Sequence, residues 1–185
     1  MKIYLTIAAV IAIFIVLFQG YLTMAANKSD EQPYKVIRIE KDFEIRLYPS
    51  VTMEMITASA KSYKELGYSG FRKGGMTSPV HMDIHDSASF RNPVTPPEFN
   101  KDNLPKPIDA DVTIQSAIDE YVAVIKFGGF ASDADIKINA EKLENALKGA
   151  SVSYYGNFRY LGYNPSYQLF GRKNEIIINV NSNFK

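Results

Sequence analysis

The stretch EYVAVIKFGGFASDADIKINAEKLENALKG, Glu120–Gly149, passes from a strand period to a helix period in one run. Its first part alternates as far as Phe127 and is closed by Gly128-Gly129. Ser132 then stands where a helix needs an N-cap, and Asp135 three residues on completes a capping box. Ile136, Ala140, Leu143 and Leu147 recur at i, i+4, i+7 and i+11, which gives one apolar stripe, and Gly149 supplies a left-handed stop. A helix with a single apolar stripe has to bury it against something, and the strands on either side offer a sheet. The fold class is therefore α+β.

Upstream of this run, Ala110–Ser116 alternates as a strand, and downstream Asn157–Tyr163 and Glu175–Val180 are the last two strands. The loop Asn164–Lys173 separates them, opening on Asn-Pro and containing Gly171. In the first half, Tyr34–Glu40 (YKVIRIE) and Phe43–Tyr48 (FEIRLY) read as half-buried strands joined at Lys41-Asp42, and Val51–Thr57 alternates again. Ser59–Lys73 changes to helical spacing, weakened by Gly67 and Gly70. Met76–Ile84 is a strand whose Pro79 assigns it to an edge or a bulge, and Asn92–Pro107 is a proline-rich surface loop. The order strand, strand, helix, strand, strand appears twice. This describes an internal duplication, most economically a curved antiparallel sheet or partial barrel carrying two helices.

Ahead of the domain, Ile3–Phe18 is continuously apolar apart from Thr6, and the weaker run Gln19–Ala26 extends it. About 20 apolar residues cross a bilayer and about 7 to 15 form a signal-peptide core, so the segment lies between the two classes. The small residues around Ala25 make a poor cleavage site, which favours an uncleaved anchor, with export after cleavage as the alternative. Lys2 and the amino terminus on the short side keep that end in the cytoplasm and send the rest across the membrane. The expected organisation is a transmembrane anchor or signal sequence at 1–26, a polar linker at 27–33 (NKSDEQP) and one domain at 34–185.

The chemistry on offer is sparse. With 21 basic and 20 acidic residues intermixed, the net charge of +1 creates no field for nucleic acid. The absence of cysteine excludes disulfides and thiolate chemistry, and no G-x-S-x-G turn or glycine-rich phosphate loop occurs. A binding module is expected rather than an enzyme. His81, Asp83 and His85 share one face of their strand, but the strand rise holds the two imidazoles about 13 Å apart, too far for one metal. They read as a polar, solvent-facing row opposite Val80, Met82 and Ile84. Of twelve tyrosines and eleven phenylalanines, seven crowd one C-terminal stretch at Tyr154, Tyr155, Phe158, Tyr160, Tyr163, Tyr167 and Phe170. Alternating aromatics in strands are mostly core, whereas Tyr167 and Phe170, on a loop, are free to wall a flat apolar ligand.

FEIRLYPSV (Phe43–Val51), MTSPV (Met76–Val80), LPKP (Leu104–Pro107), FGGFAS (Phe127–Ser132), GYNP (Gly162–Pro165) and GRKNE (Gly171–Glu175) together resemble the SOUL haem-binding family, in order and over almost the whole domain. The resemblance implies two βαββ-like halves forming a distorted antiparallel β-barrel with two helices, here preceded by the N-terminal hydrophobic helix. It also implies non-catalytic binding of haem or another tetrapyrrole on an apolar surface between the first helix and the loop before the last strand. On this chain the matching positions are Tyr63, Leu66, Tyr68, Phe71, Arg72 and Lys73 on the helix, and Tyr167, Gln168, Leu169 and Phe170 on the loop. Arg72 and Lys73 would meet the propionates. The family has no universal axial ligand. An imidazole from His81 or His85 could serve, although neither falls in a defining motif. The chain departs from the family where the first helix ends, because Lys73 is followed only by Gly74-Gly75 before Met76. Two further readings keep the same scaffold: an effector-type module for a different amphiphile, and an envelope protein-interaction domain.

Overall fold

A computed structural model of the chain describes residues 2–26, 32–50, 52–57, 79–84, 89–93, 112–116, 118–164 and 168–182. Two helices and nine strands lie among them. Helix α1 covers Lys2–Ala26 and α2 covers Asp133–Gly149; the strands are β1 (Lys35–Ile39), β2 (Glu44–Tyr48), β3 (Thr52–Thr57), β4 (Val80–Asp83), β5 (Ser89–Pro93), β6 (Val112–Ser116), β7 (Glu120–Gly128), β8 (Tyr154–Gly162) and β9 (Lys173–Val180). All strand pairs are antiparallel and form one sheet in the order β1-β2-β7-β9-β8-β4-β5-β3-β6. The α+β class is as expected from the sequence. Among the described residues the sheet is open, with β1 and β6 at its edges.

Around α2 the local rules act as the sequence predicts. The Ser132 hydroxyl accepts the Asp135 N–H at 3.2 Å, and the Asp135 carboxylate accepts the Ser132 N–H at 3.0 Å. Ile136, Ala140, Leu143 and Leu147 are buried against Ile45, Ala123, Ile176 and Ile178 of the sheet. Asn139 joins that buried face because its amide donates to the Asp135 carbonyl at 2.8 Å, one turn back. The stop differs from expectation. Gly149 is the last helical residue, and the left-handed conformation falls to Ser151 at φ 54°. The Val152 N–H then closes on the Leu147 carbonyl at 3.0 Å, so the helix end is tied by backbone bonds and not by the glycine.

Four further expectations are corrected. β5 was not anticipated, and Asn92 and Pro93 belong to it instead of opening a loop; SFRNP has no clean alternation, so its ladder comes from the neighbours β3 and β4. β4 is interior to the sheet, between β8 and β5, because Pro79 precedes the first paired residue and costs the ladder no donor. β1 is exposed along its whole length, being an edge strand with a register shift between Val36 and Arg38, so it is not half-buried. His81 is only 2% exposed and Met82 is buried behind it, so at His81 the row does not face solvent, while Asp83 is half-buried: both faces of the interior strand are covered at His81 and Met82. The expected helix at Ser59–Lys73, His85 and most of the loop to Pro107 lie outside the described residues.

Candidate functional site

The two faces of the sheet have different chemistry. Cross-strand partners in an antiparallel ladder share a face, so the pairings sort the side chains. Ile45, Ala123, Ile176, Ile178, Tyr160 and Met82 lie under α2. Arg46, Tyr48, Val122, Glu175, Leu161 and His81 lie on the other face. On that second face Arg46 grips Glu175 with two bonds of 2.9 Å, donates to the Tyr48 hydroxyl at 2.9 Å, and reaches Glu44 through its Nε. Tyr163 donates to the same Glu175 carboxylate at 2.7 Å, and the Tyr34 ring lies 4.0 Å from the Arg46 guanidinium. Arg159 repeats the motif one step along, holding Glu120 at 3.0 and 3.1 Å and Asn179 at 2.7 Å.

Arg46, Glu175 and Tyr48 are buried, so each charge is kept only because it is paired. Burial disfavours the Arg46 charge, but the bidentate Glu175 contact outweighs this and holds its pKa above the ordinary value. Burial is also the largest effect on the phenols. It pushes Tyr48 up to about 12 and raises Tyr163 further, with the Glu175 carboxylate adding to it. At Glu44 burial raises the pKa, yet bonds from Lys126 and the Arg46 charge leave it below the usual carboxylate value.

The β8–β9 loop grows out of this network. Lys173 lies 4.0 Å over the Tyr163 ring, and its N–H donates to Asn164 Oδ1 at 2.6 Å. Asn164 Nδ2 donates to Gln168 Oε1 at 3.1 Å, and Gln168 Nε2 donates to the Phe170 carbonyl at 2.9 Å. Arg172 closes the loop by donating to the Gln168 carbonyl at 2.8 Å while its guanidinium sits 4.5 Å over the Phe130 ring. Gly171, at φ 64°, makes the turn between Phe170 and Arg172 possible. The result, over the described residues 168–172, is a hydrogen-bonded backbone with apolar side chains left outside. Phe170 is 65% exposed, Leu169 46%, and Phe130, brought alongside through Arg172, 57%.

Of the sequence-derived site residues, Leu169 and Phe170 are thus presented at the surface, whereas Gln168 is buried and its amide is spent inside the loop. Gln168 positions the loop; it does not offer itself to a ligand. Tyr63, Leu66, Tyr68, Phe71, Arg72, Lys73 and Tyr167 lie outside the described residues. Phe130 and Arg172 were not anticipated as part of this surface. Both sit inside the FGGFAS and GRKNE motifs, but only the stacking of the guanidinium on the ring unites them. Most of the other C-terminal aromatics are core: Tyr160, Tyr154 and Phe158 pack beneath α2, and Tyr163 belongs to the charged face. His81 stands within the sheet on the charged face, paired with Leu161 and buried. Among the described residues no group of three His, Asp or Glu side chains could hold a metal.

Residues 29–179 match the family model described as "SOUL heme-binding protein". The chain belongs to the SOUL family. Within it, the chain is 31% identical to heme-binding protein 1 of Mus musculus over 110 residues, and 32% identical to that of Xenopus laevis over 112 residues. Each match covers 55% of this chain and 57% of the relative, so the chain spans little more than half the length of these relatives. Among solved structures, the EcmrR C-terminal domain superposes with a TM-score of 0.54 over 80% of this chain and 98% of its own, at 11% identity. EcmrR in its DNA complex gives 0.54 over 96% of this chain and 69% of its own, at 9% identity. These superpositions speak to the SOUL domain's fold alone.

Proposed function

We propose that the domain binds haem, or a related tetrapyrrole, without catalysis, on the apolar surface that includes Leu169, Phe170 and Phe130. Haem is a flat apolar macrocycle edged by two carboxylates, and the loop matches both features. Leu169 and Phe170 stand exposed on a backbone fixed by Asn164, Gln168 and Arg172, which lowers the ordering cost of receiving a rigid ring. Arg172, half-buried on the Phe130 ring, brings a cation to the edge of that surface. Burial lowers its pKa from the ordinary arginine value. The family's helix-side residues Tyr63, Leu66, Tyr68, Phe71, Arg72 and Lys73, with Tyr167, would complete the surface, and the bound group would supply the redox and ligand-binding chemistry of its iron. The single observation that carries the reading is the exposure of Phe170 on a hydrogen-bonded loop inside a SOUL domain.

Two finer features belong to the same proposal. The strand order is palindromic about the β8–β4 pair once β1 is set aside, β2-β7-β9-β8 mirroring β6-β3-β5-β4, which favours two βαββ-like halves curved towards a barrel. The 19 residues Ile3–Tyr21 of α1 are long and apolar enough to cross a bilayer, which favours an anchor that leaves the domain extracytoplasmic. Hemin titration of the full chain in detergent tests the binding. A saturable, shifted Soret band is expected; the spectrum of free, aggregated hemin at every ratio would end the proposal.

A further inference from the structure

Helix α1 is exposed along nearly all of its described length, and Gln19 is the exception at 7%. Gln19 follows directly on the apolar run Ile3–Phe18, which rises about 24 Å as a helix, close to the thickness of a bilayer's hydrocarbon core. A side-chain amide at that depth needs a partner, because hydrocarbon offers none. It has one in the domain: Gln19 Oε1 accepts the backbone N–H of Leu169 at 2.8 Å. The bond ties the β8–β9 loop to the last turn of the span Ile3–Tyr21. Leu169 itself and its neighbour Phe170 are exposed at this tether, and the Arg172 guanidinium that follows them lies over the Phe130 ring. Apolar side chains bordered by Arg172 and Lys173 are the composition that settles into lipid headgroups, rings towards the acyl chains and cations towards the phosphates.

We propose that the loop of Leu169 and Phe170, together with Phe130, rests in the headgroup layer of the bilayer that α1 crosses, so that the proposed binding surface opens onto lipid instead of onto bulk water. This rests on the reading of α1 as a membrane anchor. A flat amphiphile dissolved in the membrane would then reach the loop laterally, without passing through water, where hydrophobic ligands aggregate.

The chain contains no tryptophan, so single tryptophans report without background. The full chain is reconstituted into phosphatidylcholine vesicles whose acyl chains carry bromine, either near the headgroups or near the bilayer centre. Three reporters are compared. Phe14→Trp lies in the middle of the span and tests the anchor by itself. Phe170→Trp tests the loop. Tyr155→Trp is an exposed site near the far end of β8, about 23 Å along the strand from Gly162, and serves as the water-exposed control. Phe14→Trp should be quenched most by central bromines. Phe170→Trp should lose most of its emission to bromines near the headgroups and shift to the blue, while Tyr155→Trp stays unquenched and red. Phe130→Trp, which keeps a ring for Arg172, is a second reporter should Phe170→Trp fail to fold, and should behave like it. Quenching at Phe14→Trp with Phe170→Trp and Phe130→Trp as unquenched as Tyr155→Trp would overturn the inference and leave the anchor standing. An unquenched Phe14→Trp would remove the anchor and the inference with it.

Discussion

The face of the sheet beneath α2 and the face opposite are buried by different physics. Under α2, Ile45, Ala123, Ile176 and Ile178 meet Ile136, Leu143 and Leu147, and burial is favourable residue by residue because each side chain leaves water at no polar cost. On the opposite face Arg46, Glu175, Tyr48 and Tyr163 are buried as a set, and no member would be tolerated there alone. The first face therefore loses stability in proportion to volume removed. The second fails when any single partner is taken away. It also extends towards the proposed binding surface, because Glu175 and Tyr163 lead through Lys173 and Asn164 into the loop that presents Leu169 and Phe170.

The largest effect is expected where the comparison is broken most directly. Arg46→Met or Glu175→Leu alone should cost about 3–5 kcal/mol, because each leaves a buried charge without its bidentate counterpart. The double variant should recover most of that loss in urea unfolding, although Tyr163 still loses its Glu175 acceptor. A double variant as unstable as the sum of the singles would mean that the two residues act independently. On the apolar face, Leu143→Ala should cost about 2–5 kcal/mol, with no rescue by any polar substitution, since the loss is cavity and transfer energy.

Alkaline titration sharpens the contrast next. Burial raises both Tyr48, on the charged face, and Tyr160, under α2, to about 12. A raised folded value means that the fold favours the neutral phenol. The stability this contributes is complete below pH 10 and is lost as the pH climbs through 12, on the order of 2–3 kcal/mol for each ring. Phenolate absorbance from Tyr48 and Tyr160 should therefore appear only as the far-ultraviolet signal collapses. The smallest effect lies at the end of α2. Gly149→Ala meets nothing within 4 Å and should stabilise the domain by about 0.5–1 kcal/mol, seen as a raised Tm. A fall would show that the Leu147–Val152 closure depends on the glycine.

These contrasts also explain what could be read in advance. The helix α2, its cap and its buried stripe were legible because apolar periodicity and a capping box are local, and local patterns survive into the fold unaltered. The charged face was not. Arg46 and Glu175 are 129 positions apart, and an alternating Glu, Arg, Tyr row in FEIRLY is what an exposed strand face also looks like. The same ambiguity made His81 look solvent-facing. β5 escaped because its strand character is imposed by β3 and β4 and not by SFRNP itself. On the loop, Leu169 and Phe170 stand exposed where the family resemblance puts a ligand surface, whereas the burial of Gln168 was not legible because it depends on Asn164, four residues back, and Phe130 was not legible beside them because Arg172 connects it to the loop only in three dimensions.

The most direct test is a hemin titration comparing Phe170→Asp, at the loop, with Tyr155→Asp, another exposed aromatic, near the far end of β8. Phe170→Asp should weaken the Soret-monitored affinity by about 10–100-fold, the worth of one buried aromatic side chain with a carboxylate put in its place, while Tyr155→Asp binds as the parent chain does. Equal affinities for the two variants would contradict the assignment of haem to this surface.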